Sequence, residues 1–194
     1  MRLIVITREE FFEGEAALLT ALMDAGLERL HLRKPRASHD EIVALVEALP
    51  EQYRSRVVLH DAHEIAERYA LGGVHLNSRS PHALSGWQGS VSRSCHTLDE
   101  LRRYGHSCDY LFLSPIFDSI SKHGYTSAFT EEELRLVCRD VKGVVALGGV
   151  TLEHMSLVRD MGFDGAAVLG DVWCRPTEDI VKHFERLRDI CAEL

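Results

Sequence analysis

Short apolar runs alternate with longer amphipathic stretches along the whole chain. The runs Leu3–Ile6, Arg29–Arg33, Val57–His60, Gly73–Leu76, Ser90–Ser94, Tyr110–Leu113, Val144–Leu147 and Ala166–Leu169 are read as strands. Their brevity and near-continuous apolar character suit parallel strands buried on both faces. Helical periodicity fills the gaps at Glu15–Met23, Asp40–Leu49, Glu64–Ala70, Leu98–Tyr104, Glu131–Val137, Leu152–Met161 and Asp179–Ile190. Ser38, Asp61, Thr97, Thr130, Thr151 and Thr177 stand where helix N-caps belong. Pro81 to Gly89 is the weakest stretch, with room for a short helix only.

Strand followed by helix, repeated without a break, predicts a parallel α/β fold. Eight such units favour a compact (β/α)8 TIM barrel over an open doubly wound sheet. The open sheet also loses ground because no Gly-rich dinucleotide fingerprint follows the first strand. No linker or low-complexity segment interrupts the pattern, and 194 residues suit one domain over 1–194.

Charge narrows the function classes. A formal net charge of −8 argues against a nucleic-acid binder, which needs a basic face. It leaves room for a small phosphorylated ligand, since local amides and two or three cations can hold one anion. The five cysteines include no C-x-x-C pair, which speaks against a disulfide framework or a thiolate zinc site. The apolar run near the N-terminus is too short for a signal peptide or a membrane span. A reducing cytoplasm is the expected location.

In a barrel, chemistry gathers at the C-terminal ends of the strands. Strand two ends Leu30-His31-Leu32-Arg33-Lys34-Pro35. If the leucines meet the helices, His31 and Arg33 point into the barrel mouth. Arg33 then needs an anion, either a ligand or a neighbouring carboxylate. Strand three ends His60-Asp61, where Asp61 could hold Mg2+, cap the next helix or pair with Arg33. Ser92, Ser94 and His96 share a face of strand five, an unusual row for core packing but a suitable one for a ligand. After strand six, Ser119, Ser121 and Lys122 form a candidate diphosphate clamp, with a surface loop as the alternative. Gly148-Gly149 after strand seven and Leu169-Gly170 after strand eight would let backbone amides approach a phosphate. A metal cluster of His31, His60, His75 and His96 has no H-x-H or H-x-x-E-H spacing behind it.

These segments resemble one family, that of thiamine phosphate synthase and thiazole tautomerase. His31-Leu32-Arg33-Lys34 is similar to its Q-L-R-x-K strand, Leu59-His60-Asp61 to I-N-D, and Gly73-Val74-His75-Leu76 to G-V-H-L. Ser94-Cys95-His96-Thr97 resembles S-x-H-T, and Asp109-Tyr110 with Ser114-Pro115 resembles D-Y-x-x-x-G-P. Ser119-Ile120-Ser121-Lys122 resembles T-x-T-K, and Leu147-Gly148-Gly149-Val150-Thr151 resembles I-G-G-I-T. The blocks come in family order and cover most of the chain.

The resemblance implies a transferase joining hydroxymethylpyrimidine diphosphate to thiazole phosphate with release of diphosphate. By carry-over, Arg33, Lys122, Ser94 and Mg2+ on Asp61 serve the diphosphate, and Ser119 and Ser121 contact it or the thiazole phosphate. Gly149, Leu169 and Gly170 bind the thiazole phosphate through their backbone. His31 stands where the family has the glutamine that reads the pyrimidine, and His60 replaces the asparagine before Asp61. The second Mg2+ carboxylate is replaced by Ser80, with Asp118 a candidate substitute. Two other functions compete. One is a thiazole tautomerase working without Mg2+, in which His31, His60 or His96 carries the proton and His123 is a poor replacement. The other is a non-catalytic binder of thiamine intermediates. The expected partners are small phosphorylated substrates, with no nucleic acid and no membrane; a homodimer is left open.

Overall fold

Successive side chains on a strand point to opposite faces, and that parity divides this molecule into a lumen and an outer layer. In a computed structural model, which describes residues 1–117 and 129–193, the parallel strands close into a barrel in sequence order. They are β1 (Arg2–Ile6), β2 (Leu30–Leu32), β3 (Val57–His60), β4 (Gly73–Leu76), β5 (Ser90–Cys95), β6 (Tyr110–Leu113), β7 (Val144–Ala146) and β8 (Gly165–Val168). The fold is the (β/α)8 barrel expected from the sequence. Leu30, Leu32, Leu59, Val74, Leu111 and Leu113 face outward and pack beneath the helices. Ile4, Ile6, Tyr110, Phe112, Val145 and Ala167 face inward and form a separate apolar cluster.

The register explains why polar residues meet inside. Ile6 pairs with His31, His60 with His75, His75 with Ser92, and Ser92 with Tyr110. One side of the lumen, from β2 to β5, is therefore lined by imidazoles and hydroxyls. The other, from β6 round to β1, is apolar.

The helices are α1 (Glu15–Asp24), α2 (His39–Ala48), α3 (His63–Arg68), α4 (Leu98–Tyr104), α5 (Glu131–Asp140), α6 (Met155–Asp160), α7 (Gly170–Trp173) and α8 (Thr177–Glu193). Ser38, Thr97 and Thr130 cap α2, α4 and α5, each in a reciprocal capping box with the glutamate three residues on. Three expected caps differ. Asp61 is not the cap of α3; Ala62 takes that place, and the Asp61 carboxylate is used elsewhere. Thr151 precedes a 3-10 turn at Leu152–His154 without capping it by its side chain. Thr177 is the first residue of α8 itself.

The stretch between β4 and β5 forms no helix. Its backbone turns instead around Asn77, whose side-chain oxygen accepts from the N–H groups of Arg79 and Ser80. Asparagine competes in this way with helical bonding. The short α7 was not foreseen. Trp173 fixes it by donating from its indole to the Ile6 carbonyl at 2.6 Å, while packing edge-on against Phe12.

Gly72 is a steric bottleneck at the bottom of β4. A Cβ there would lie 1.8 Å from the Ser55 carbonyl oxygen, and its own carbonyl already accepts from the Ser90 amide and hydroxyl. Gly72→Ala is expected to destabilise the barrel by about 1–3 kcal/mol or more through overpacking against backbone. A urea midpoint equal to wild type would contradict that reading.

Candidate active site

A cavity of about 520 Å3 opens at the C-terminal ends of the strands. Its floor is apolar where Ile6, Phe112, Leu147 and Ala167 meet, and polar where His60 and Ser94 rise from β3 and β5. Arg33, Arg79 and Arg93 line the cavity. Gly148, Gly149, Leu169 and Gly170 line it as well, from the loops after β7 and β8. A flat uncharged ring fits the floor, and an anion fits the cationic side.

A hydrogen-bonded chain runs beneath the polar floor. His75 Nε2 lies 2.8 Å from Ser94 Oγ, and His75 Nδ1 lies 2.8 Å from Ser92 Oγ. His31 bridges Tyr110 Oη at 2.7 Å and His60 Nε2 at 2.9 Å. The His60 and His75 rings stack face to face, 4.1 Å between centroids. Each imidazole offers one donor and one acceptor only while neutral. Burial keeps them so: it pushes His75 down to about 3 and holds His31 and His60 well below the ordinary histidine range, helped by the neighbouring imidazoles. Ligand atoms of His31, His60 and His75 lie within 4.8 Å of one another, so three of the four histidines converge despite their spacing in sequence. The close His31–His60 bond and the serine bonds of His75 show those ring nitrogens already engaged within the chain.

The charged side is organised by carboxylates. Arg33 pairs with Glu9, and its backbone N–H donates to Thr7 Oγ1 at 2.9 Å. The pairing with a neighbouring carboxylate is therefore realised, but with Glu9 and not with Asp61. Asp61 sits at φ 60, a left-handed conformation that costs a non-glycine residue about 1–3 kcal/mol and needs support from its surroundings. That support comes from the turn after β4. Arg79 donates to Oδ2 at 2.7 Å, while Asn77 and Ser80 each donate to Oδ1 at 3.1 Å. Burial alone would raise the Asp61 carboxyl, but the bonds from Arg79 and Asn77 outweigh it and hold it below its ordinary value. Lys34 turns away from the cavity and is buried against Glu15, at 2.7 and 2.9 Å from its two oxygens.

The glycine turns are held from behind. Gly148 has φ 91 and Gly149 φ 65, and a Cβ on Gly148 would meet Pro115 Cα at 2.8 Å. The His154 ring lies with Nδ1 2.9 Å from the Gly149 carbonyl and stacks on Phe117. Asp171, following Gly170, accepts from the Leu152 amide and Arg175 and bonds His183 at 2.7 Å. That carboxylate ties the loop after β8 to the loop after β7.

Of the residues singled out in the sequence, Arg33, His60, Ser94, His96, Gly149, Leu169 and Gly170 line this one cavity. His31 does not. It is fully buried below the floor, so the catalytic contact expected of it is corrected to a supporting bond to His60. Asp61 reaches the cavity through its partners Asn77 and Arg79, which line it. Asp118, Ser119, Ser121, Lys122 and His123 lie outside the described residues. Sequence reasoning missed Asn77, Arg79 and Arg93 as lining residues and Tyr110 as a member of the buried chain. The signal for Arg79 was present: Asn77-Ser78-Arg79-Ser80 introduces a cation where a carboxylate was looked for.

Comparison with known proteins agrees with this geometry. A thiamine monophosphate synthase family model matches residues 3–172. The thiamine-phosphate synthase of Rhodospirillum centenum is 30% identical over 193 residues, covering 90% of each chain. That of Syntrophomonas wolfei is 25% identical, over 97% of this chain and 95% of its own. Among solved structures, a thiamine phosphate pyrophosphorylase from Bacteroides thetaiotaomicron superposes with a TM-score of 0.89 at 36% identity, covering 99% of this chain and 98% of that one.

The neutral lumen carries a pH signature. Each buried histidine has a folded-state pKa depressed below its unfolded value near 6.5. Below that pH the unfolded chain binds more protons than the folded one, so stability is full above it and falls on acidification. Each such histidine can contribute a slope of up to about 1.4 kcal/mol per pH unit. Urea unfolding between pH 7.5 and 5 should show the loss, and His75→Asn should remove about one proton of it. A pH-independent wild type over that window would mean the imidazoles are not held neutral.

Proposed function

The chain belongs to the thiamine monophosphate synthase family, and from that premise we propose that its cavity joins hydroxymethylpyrimidine diphosphate to thiazole phosphate. The protein is a transferase of thiamine biosynthesis. In the reaction the bond from the pyrimidine methylene carbon to the diphosphate oxygen breaks, and its electron pair leaves with the diphosphate. The thiazole nitrogen then supplies a pair to the cationic carbon, giving thiamine phosphate.

The single observation that carries this reading is that uncharged and apolar strand residues and three arginines line one cavity. The floor of Phe112, Ile6 and His60 accepts the pyrimidine ring. Ser94 and His60, polarised from below by His75 and His31, offer hydrogen bonds to its edge. Arg33 and its neighbours take the diphosphate, where charge accumulates as the bond breaks. The glycine turns at Gly149 and Gly170, with Leu169, receive the thiazole phosphate through backbone amides. Ser119, Ser121 and Lys122 complete the diphosphate clamp in this proposal, and His96 contacts substrate from the cavity lining. A dry floor protects the cationic carbon from water.

Mg2+ is the cofactor that the resemblance implies, with Asp61 as ligand. The residues around Asp61 do not fit it as they stand. Mg2+ takes near-octahedral oxygen donors at about 2.0–2.1 Å, whereas both Asp61 oxygens already accept from N–H and O–H donors, one of them cationic. No step is assigned to a metal.

Small phosphorylated substrates are the partners of this reading, and a reducing cytoplasm is the proposed location, in keeping with five free cysteines. Among the described residues no helix is long and apolar enough to cross a membrane.

Supplying both phosphorylated halves should yield thiamine phosphate and diphosphate in equal amounts. Arg33→Ala should lower kcat/KM by about 10–100-fold, the worth of a charge-assisted hydrogen bond of roughly 1.5–3 kcal/mol. Absence of coupling by the folded wild-type protein, with or without added Mg2+, would overturn the reading.

A further inference from the structure

The misfit at Asp61 has a local cause, and the cause suggests a replacement. A site with two carboxylates and a divalent ion is electrically balanced. Here a hydroxyl, at Ser80, stands where the resemblance implies the second carboxylate, and a guanidinium lies one residue earlier at Arg79. One carboxylate and one guanidinium are balanced too. The arrangement is built rather than incidental. Asp61 is held in a left-handed conformation, Ser80 and Asn77 pin its Oδ1, and Arg79 takes its Oδ2.

We infer that Arg79 supplies the cation for the diphosphate group in place of a divalent metal, making this a metal-independent oxyanion site. The inference rests on the transferase reading for the identity of the bound group. Arg79 lines the cavity together with Arg33 and Arg93. A guanidinium carries five N–H donors in a planar fork, so its bond to Asp61 orients it and leaves capacity for a second oxyanion. Arg93 is fixed as well, over the Tyr104 ring at 4.0 Å, with a bond to the Pro81 carbonyl. Glu100, the nearby carboxylate of the lining, is committed to the amides of His96 and Thr97. The cationic side is thus set locally, in a chain whose overall charge is negative. As the carbon–oxygen bond breaks, the electron pair moves onto the diphosphate, and the arginine N–H groups donate to the oxygens that gain the charge.

Titration calorimetry with inorganic diphosphate tests this on the whole protein. Wild type in excess EDTA should bind, and Arg79→Ala should bind at least tenfold more weakly under the same conditions. Added Mg2+ should tighten neither. The double variant Arg79→Ser/Ser80→Asp, which restores an acidic pair, should bind diphosphate at least tenfold more tightly with Mg2+ than in EDTA. Wild-type binding that appears only with Mg2+, or binding in EDTA that survives Arg79→Ala, would overturn the inference. The transferase reading fails separately: diphosphate bound through Arg79 without metal, but no coupling of the two halves, removes that reading and leaves the cation site standing.

Discussion

A buried barrel lumen tolerates polar groups only if every one is partnered, and the rest of this site depends on that constraint. Closure brings inward positions of β2 to β6 together, so His31, His60, His75, Ser92 and Tyr110 must satisfy one another. They do: among the described residues the one buried side-chain polar atom without a partner is Arg54 Nε, outside the lumen. Burial requires neutrality, because a charged imidazole here would lose its hydration. Charging both His31 and His60 would also set two donors against each other at their contact. Burial therefore fixes the protonation state, and the protonation state fixes the network.

The network in turn separates two kinds of recognition within one cavity. Uncharged groups and apolar surface occupy the floor, while three arginines also line the cavity. In the proposed reaction, charge developing on the leaving group would be met by the guanidinium groups and not beneath the ring from which it departs. Keeping the histidines neutral prevents a competing positive field at the floor, which would oppose a cationic carbon. The same barrel parity that buries the imidazoles delivers Arg33, two positions beyond His31, to the mouth.

Much of this was legible in the sequence because strands of a barrel are short, apolar and regularly spaced, and because active groups follow strand ends. The alternation Leu30-His31-Leu32-Arg33 correctly put both polar residues on the inward side. It could not give depth, and depth separates His31, sealed under the floor, from Arg33 in the cavity. The convergence of His31, His60 and His75 was hidden for a similar reason. Metal-like or network-like clusters are recognised in sequence by close spacing, whereas these residues come from three strands and meet through register alone. Asp61 as a helix cap failed because its left-handed backbone and its bond to Arg79 compete with capping. The latter partner lies eighteen residues away, beyond any local rule. The β4–β5 connection was ambiguous because Asn77 can stabilise a turn as well as precede a helix.

The exchange at Asp61 bears on how such a pocket can change its means of binding while keeping its geometry. Losing one of two carboxylates alone would leave a divalent ion poorly held and a diphosphate without a counter-charge. Gaining an arginine alone would place a cation against a bound metal. Either change by itself sets like charges together or leaves one unpaired. Both features together, within neighbouring residues of one turn, keep the charges balanced, because the Asp61 carboxylate holds the Arg79 guanidinium. The price is in character more than in strength. A guanidinium binds through planar, directional N–H donors and gives up its water more readily than Mg2+ does, so in the proposed site it would favour a fixed diphosphate orientation over the adaptable shell of a hydrated ion. Fixed orientation suits a leaving group that must depart along one line while the ring beneath it stays seated on a neutral floor.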